Sequence, residues 1–203
     1  MKDDGFELIS AAQDTGGEAA AGQWFDRAEV TFTQIVDENH TISSLYNMVN
    51  VPTGVWIDEQ GMIVRPNETA YSSNTNMELS GKTLSSRGGD YVSALKDWVA
   101  KGAESAYALT PEQVTQRWNP RSSEHARADA LFQLGNHFIR ADDEARANQY
   151  WQEAQALRPE SWNYHRQDWS FTPAEAGRNW MQKFLGLGDE EYYAPLDLPE
   201  LSD

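Results

Sequence analysis

The chain has 203 residues, no cysteine, and 32 acidic against 16 basic side chains, giving a net charge of −16. That charge repels phosphate backbones and anionic headgroups, so it argues against nucleic-acid and membrane partners and leaves neutral or cationic protein surfaces, while the favoured reading of the charge itself is that it keeps the chain soluble. The missing thiol excludes disulfides and thiolate chemistry by this chain alone, while eight Trp, eight Tyr and seven Phe supply the bulk for a folded core.

No run approaches the roughly 18 apolar residues that cross a bilayer, and Met1 to Phe6 lacks the apolar stretch of a secretory signal. The expectation is a soluble, cytoplasmic protein. Phe6 to Ala12 is a short apolar run with β character, closed by the turn cluster Gln13-Asp14-Thr15-Gly16-Gly17. Glu18 to Ala28 reads as a helix with three alanines and with Trp24 and Phe25 to bury. Thr31 to Val36 alternates loosely, and Ile42, Leu45, Tyr46 and Val49 follow at helical spacing. Gly54 to Ile57 and Met62 to Val64 read as strands joined by Asp58-Glu59-Gln60-Gly61, with glycine where a positive φ is wanted.

Residues 67 to 90 are rich in Ser, Asn, Thr and Gly and read as a long loop crossed by at most one short strand. Asp90 is placed to cap a helix whose apolar face is Val92, Leu95, Trp98 and Val99, with Gly102 as its terminator. Thr110-Pro111-Glu112-Gln113 is a helix start: threonine caps, proline takes the first helical position, and glutamine reaches back. Thr172-Pro173-Ala174-Glu175 repeats the device. Everything from 110 to 185 reads as helical until Gly186 and Gly188 break the pattern, and an acidic-aromatic tail follows.

Residues 2 to 66 resemble the redoxin and disulfide-reductase branch of the thioredoxin-like superfamily. The match rests on the strand ending near Asp14, the Val36-Asp37 to Tyr46 stretch, and Val51-Pro52-Thr53 followed by Trp56-Ile57-Asp58 and Gly61. The resemblance implies a cis Val51–Pro52 bond and a partner-binding corner at Val51, Pro52 and Thr53, where the residue before the proline offers its backbone to an extended segment. It also marks a departure. The family's first strand and Cys-x-x-Cys helix have no counterpart here, and the family topology puts that strand in the middle of the sheet. The reading implies an incomplete sheet with unpaired edges, to be paired by a second copy, by another protein or by closure within the chain. Strand donation between identical chains is the expected solution, giving a homodimer with residues 6–12 or 54–65 at the interface. The alternative is that Met1 is internal to a longer thiol–disulfide oxidoreductase or peroxiredoxin-like enzyme whose cysteines lie upstream.

Leu131, Leu134-Gly135, Phe138, Ala147, Trp151, Ala154 and Pro159 follow the spacing of one tetratricopeptide repeat. In that resemblance Gly135 and Ala147 let two helices approach, Phe138 and Trp151 fill the space between them, Asp142 or Asp143 opens the second helix, and Pro159 helps to end it. Such arrays normally need about three repeats, and one copy is present; a generic antiparallel helix pair is the alternative. His125 and Asp129, four apart, read as a solvated helix face rather than a metal pair, and His137 as a partly buried packing residue. The aromatics Trp162, Tyr164, Trp169, Phe171, Trp180 and Phe184 read as core. No Gly-x-Ser-x-Gly turn or phosphate-cradling glycine loop occurs.

The sequence reading is therefore an α/β protein: an incomplete thioredoxin-like sheet with helices over residues 1–102, an all-α helical hairpin of tetratricopeptide type over 103–186, and an acidic tail over 187–203. Its expected role is non-catalytic, binding a protein segment or supporting a redox partner, with no cofactor or metal and no nucleic-acid or membrane partner.

Overall fold

The computed structural model of the chain describes residues 5–118 and 120–199. The described residues form a mixed α/β protein with three two-stranded sheets and eight α-helices. The described residues divide into two compact units, one comprising residues 7–49 and 120–177, the other 5–6, 50–118 and 178–199. The units thus interleave along the sequence, where the sequence reading has a linear succession with a boundary at residue 102.

In the first of these units, β1 (Ile9–Ala12) and β2 (Thr33–Val36) pair in parallel, in register from Ile9 opposite Thr33 to Ala12 opposite Val36. The crossover between them is α1 (Glu18–Ala28), as a parallel pair requires. Alanines favour α1, and Glu18 in its first turn and Arg27 in its last suit the helix dipole. Trp24 does not enter a core as expected: it is 61% exposed, with the Arg27 guanidinium over its ring. A short helix α2 (Thr41–Leu45) follows, its first amides held by the Asp37 carboxylate through Thr41 N at 2.8 Å and Ile42 N at 2.7 Å.

The same unit contains the helical pair expected over 128–159, α5 (Ser123–Arg140) and α6 (Glu144–Leu157). Asp143 caps α6 by accepting from Arg146 N. Ala128, Phe132, Ala147, Trp151, Ala154 and the Tyr164 ring of α7 (Trp162–Ser170) make its core. Gly135 is required here, because a β-carbon at that position would fall inside the Trp151 indole. His137 is exposed rather than partly buried, its ring edge-on to Phe138 at 5.2 Å. The unit ends at Gly177, inside α8 (Pro173–Leu185).

In the second unit, β3 (Thr53–Ile57) and β4 (Ile63–Thr69) form the expected antiparallel hairpin. Its turn closes through Asp58 N to the Met62 carbonyl at 2.9 Å, with Gly61 at φ 78°. The register is irregular between Gly54 and Ile57, which accommodates Pro66, a residue with no amide for a ladder. The stretch read as a loop is instead a second hairpin, β5 (Asn74–Leu79) with β6 (Lys82–Arg87), whose two-residue turn puts Ser80 at φ 52° and Gly81 at φ 86°. Both central residues at positive φ suit the twist of a tight hairpin.

Helix α3 (Gly88–Lys101) begins directly after β6, so Asp90 is not its cap. Asp90 lies in the first turn and pairs with Arg87 Nε at 2.6 Å. Gly102, at φ 57°, ends the helix as expected, and a 3₁₀ turn (Gly102–Glu104) follows. Helix α4 (Pro111–Arg117) carries the full capping box: Gln113 N donates to Thr110 Oγ1, and Thr110 N donates to Gln113 Oε1. The core of this unit is Trp56, Tyr91, Ala94 and Tyr107, with Trp98 stacked on Trp56 at 5.2 Å. Gly54 lets the Tyr91 hydroxyl approach β3, where it accepts from Trp56 Nε1 at 3.0 Å. The aromatic set from 162 to 184 is not one core: Trp162 and Tyr164 are buried in the first unit, and Phe184 in the second.

Candidate functional site

The corner before β3 is pinned by its neighbours in sequence. Val51 N donates to the Asn50 side-chain carbonyl at 2.9 Å, and Thr53 Oγ1 donates to the Asn50 backbone carbonyl at 2.6 Å. The Val51–Pro52 bond is cis. The Pro52 carbonyl accepts from Ala70 N at 3.2 Å, which ties the corner to the end of β4. Val51, Pro52 and Thr53 are all half-buried.

The Val51 carbonyl, the group the resemblance offers to an extended partner, accepts from the Tyr193 hydroxyl at 3.1 Å. Tyr193 is held in turn by Tyr71, their hydroxyl oxygens 2.8 Å apart. Asn50 Nδ2 donates to the Tyr192 carbonyl at 3.1 Å, and Trp180 Nε1 to the Tyr192 hydroxyl at 3.0 Å. Asn50, Tyr71 and the two tail tyrosines were not singled out from the sequence; the aromatic pair in an otherwise acidic tail was the available signal.

Further along the same unit, β4 buries Arg65 completely. Its Nε donates to the Tyr107 carbonyl at 3.1 Å, its guanidinium lies over Trp56, and its Nη1 pairs with Glu68 and donates to the Asp197 carbonyl at 3.0 Å. Arg117 of α4 reaches the Asp197 carboxylate at 2.7 Å. Burial pushes the Glu68 carboxyl up, against the opposing pull of Arg65 and Arg117. Arg65 Nη2 and Arg117 Nη1 are buried with no hydrogen-bond partner among the described residues. A groove of about 220 Å³ lies between the Lys82–Ser85 stretch of β6 and the tail from Gly188 to Tyr193.

The other unit has a polar centre that the sequence reading missed. Asp129, read as solvated, accepts from the Tyr164 hydroxyl and pairs with Arg121 and the buried Arg158. Beside it His40 places Nε2 3.1 Å from Thr15 Oγ1 and its ring edge-on to Phe132. The space among these groups is about 10 Å³, at most a single water, so this is a structural network rather than a ligand site.

Burial holds the His40 pKa below its ordinary 6.5, with Asp37 and Asp14 pulling the other way and Arg140 reinforcing it. A folded pKa below the unfolded value means that the fold prefers neutral imidazole. This contribution to stability is complete above pH 6.5 and is lost as pH falls from there through the folded pKa. We expect His40→Gln to flatten the acid side of the stability profile, read as urea midpoints at pH 7.5, 6.5 and 5.5. An unchanged difference between wild type and variant across those three values would refute the attribution.

No group of three or more histidine, aspartate or glutamate side chains is arranged to hold a metal among the described residues, and no helix there is long and apolar enough to cross a membrane. No family model, curated protein or solved structure matches the chain.

Proposed function

We propose that the chain is a non-catalytic, thioredoxin-like binding module that takes an extended protein segment along an open strand edge, and that a second copy fills this role for the isolated protein. One observation carries the reading. Every sheet among the described residues has two strands, so each strand keeps one edge outside any ladder. The parallel pair is the sharpest case. Parallel sheets are normally larger and covered on both faces, yet Ile9 of β1 is 58% exposed and Ile35 of β2, opposite Ala11, is exposed as well. Open edges with apolar side chains are templates for another strand.

The test is molar mass by light scattering at micromolar concentration, with hydrogen exchange on the same samples. We expect twice the monomer mass of 22.9 kDa, and amides in residues 9–12 or 53–57 that lose protection on dilution. A monomer at every concentration, with those amides equally protected throughout, would overturn the proposal.

A further inference from the structure

We propose that the tail segment 192–198 is a built-in competitor, lying where an extended partner segment with an aromatic hydroxyl, then leucine, then a carboxylate would bind. The inference rests on reading the Val51 corner as a docking surface, and it names the chemistry that surface selects. At one end the Tyr193 hydroxyl engages the Val51 carbonyl, and Asn50 reads the Tyr192 backbone. In the middle Leu196 and Leu198 pack on the Trp56 and Tyr91 cluster. At the other end Arg65 reads the Asp197 backbone and Arg117 its carboxylate.

Two features mark this as an exchangeable ligand rather than a fixed part of the core. Asn50 and Arg65 address backbone carbonyls, which any extended segment presents, so recognition there does not depend on the tail's own side chains. Tyr192 is itself buried against Trp180 and Phe184, but Tyr193 beside it is half-buried where the tail borders the open groove along β6. Gly186 and Gly188 precede the segment, Gly188 at φ 59° with its carbonyl accepting from Lys82 Nζ at 2.5 Å.

The acidic requirement comes from the arginine end. Among the described residues Arg65 Nη2 and Arg117 Nη1 are buried without hydrogen-bond partners, Arg117 Nη1 lying 3.8 Å from Glu68 Oε1, while Asp197 supplies one carboxylate whose side chain is largely exposed. Guanidinium groups present forked donors that match carboxylate geometry. A partner carboxylate seated more deeply than that of Asp197 would satisfy donors that the tail leaves open. A tethered segment competes at a local concentration in the millimolar range, so the wild-type chain should resist a free peptide.

The experiment uses the full chain and a fluorescein-labelled peptide with the sequence of residues 189–199, read by anisotropy. The double variant Tyr193→Phe with Asp197→Asn weakens the tail at both ends. We expect it to bind the peptide at least tenfold more tightly than wild type, and to bind a peptide carrying the same two changes no better than wild type does. Equal affinity of the two chains, or equal binding of a scrambled peptide, would overturn the proposal. Should the double variant lose its native circular dichroism, hydrogen exchange on the wild-type chain with millimolar unlabelled peptide decides instead. Faster exchange in residues 192–198 supports displacement, and unchanged exchange refutes it. Molar mass tests the strand-edge proposal and anisotropy tests this one, so either can fail alone; a rise in mass on weakening the tail, with no peptide bound, would make the second copy's tail the occupant and refute a separate partner.

Discussion

Replacing Asp129 with alanine is expected to cost about 3–5 kcal/mol of stability, the range for removing one partner of a buried ion pair. Asp129 sits on α5 with both carboxylate oxygens engaged. Oδ1 accepts from the Tyr164 hydroxyl and lies 3.5 Å from Arg158 Nη1. Oδ2 accepts from Ser44 Oγ at 3.1 Å and pairs with Arg121. Arg158 is 3% exposed, so without Asp129 its charge stays buried beside Glu160, 3.2 Å away, with Nη2 donating to the Asn47 side-chain carbonyl. Tyr164 would lose its acceptor as well. Its pKa is raised chiefly by burial, with the hydrogen bond to Asp129 adding to the rise, so the phenol remains a neutral donor across the ordinary pH range.

Asp129→Asn separates the two effects. The amide still accepts from Tyr164 but offers no charge to Arg158, so the penalty should be smaller than that of alanine and should grow at low salt. Urea unfolding followed by tryptophan fluorescence measures both variants, with the slope checked for constancy. An Asp129→Ala midpoint corresponding to less than about 1 kcal/mol of loss would place this network among surface ion pairs of little worth.

The contrast between this centre and the helix ends shows what the sequence made legible. The capping box at Thr110, the stop at Gly102 and the Asp58–Gly61 turn depend on residues within four positions of one another, so their chemistry is visible as a local pattern. Asp129 depends on Ser44, 85 positions away, and on Tyr164, 35 positions away. Nothing periodic announces such partners, and a carboxylate on a polar helix reads as solvated until they are in place. The β5–β6 hairpin was hidden for a different reason. Its strands alternate Asn, Thr, Ser and Lys with few apolar residues, so the period-two signal is faint and Ser80-Gly81 alone marks the turn.

The candidate site was half legible in the same sense. Val51, Pro52 and Thr53 stood out as a local motif, and Asn50 and Thr53 fix that corner through short-range bonds. Its cover, Tyr193, lies 142 positions downstream. Sequence spacing cannot place a tail on a carbonyl at that separation; the Tyr192-Tyr193 pair indicated only that the tail had aromatic surface to bury.

Trp151→Ala should cost a similar amount, about 3–5 kcal/mol, the range for truncating a buried large aromatic. Trp151 is 1% exposed at the centre of the α5–α6 pair, lying over the bare backbone of Gly135. Its ring stacks on Phe171 at 5.4 Å, and its Nε1 donates to Asn136 Oδ1 at 3.0 Å. Asn136 is fully buried, and its Nδ2 has no hydrogen-bond partner among the described residues. Truncation therefore opens a cavity and also leaves Asn136 Oδ1 without its donor, so two penalties add. Trp151→Phe isolates the second, because the ring still fills most of the space while the N–H is lost; it should cost about 1–3 kcal/mol. Since Gly135 has no side chain with which to close the gap, relaxation must come from α6 moving inward, which the Asp143 cap and the connection from Ala141 resist. Thermal unfolding paired with hydrogen exchange across 123–157 checks both variants. Native-like protection in Trp151→Ala would show that the helical pair does not depend on this indole, and would remove the strongest physical support for the interhelical role that the repeat pattern gives to that position.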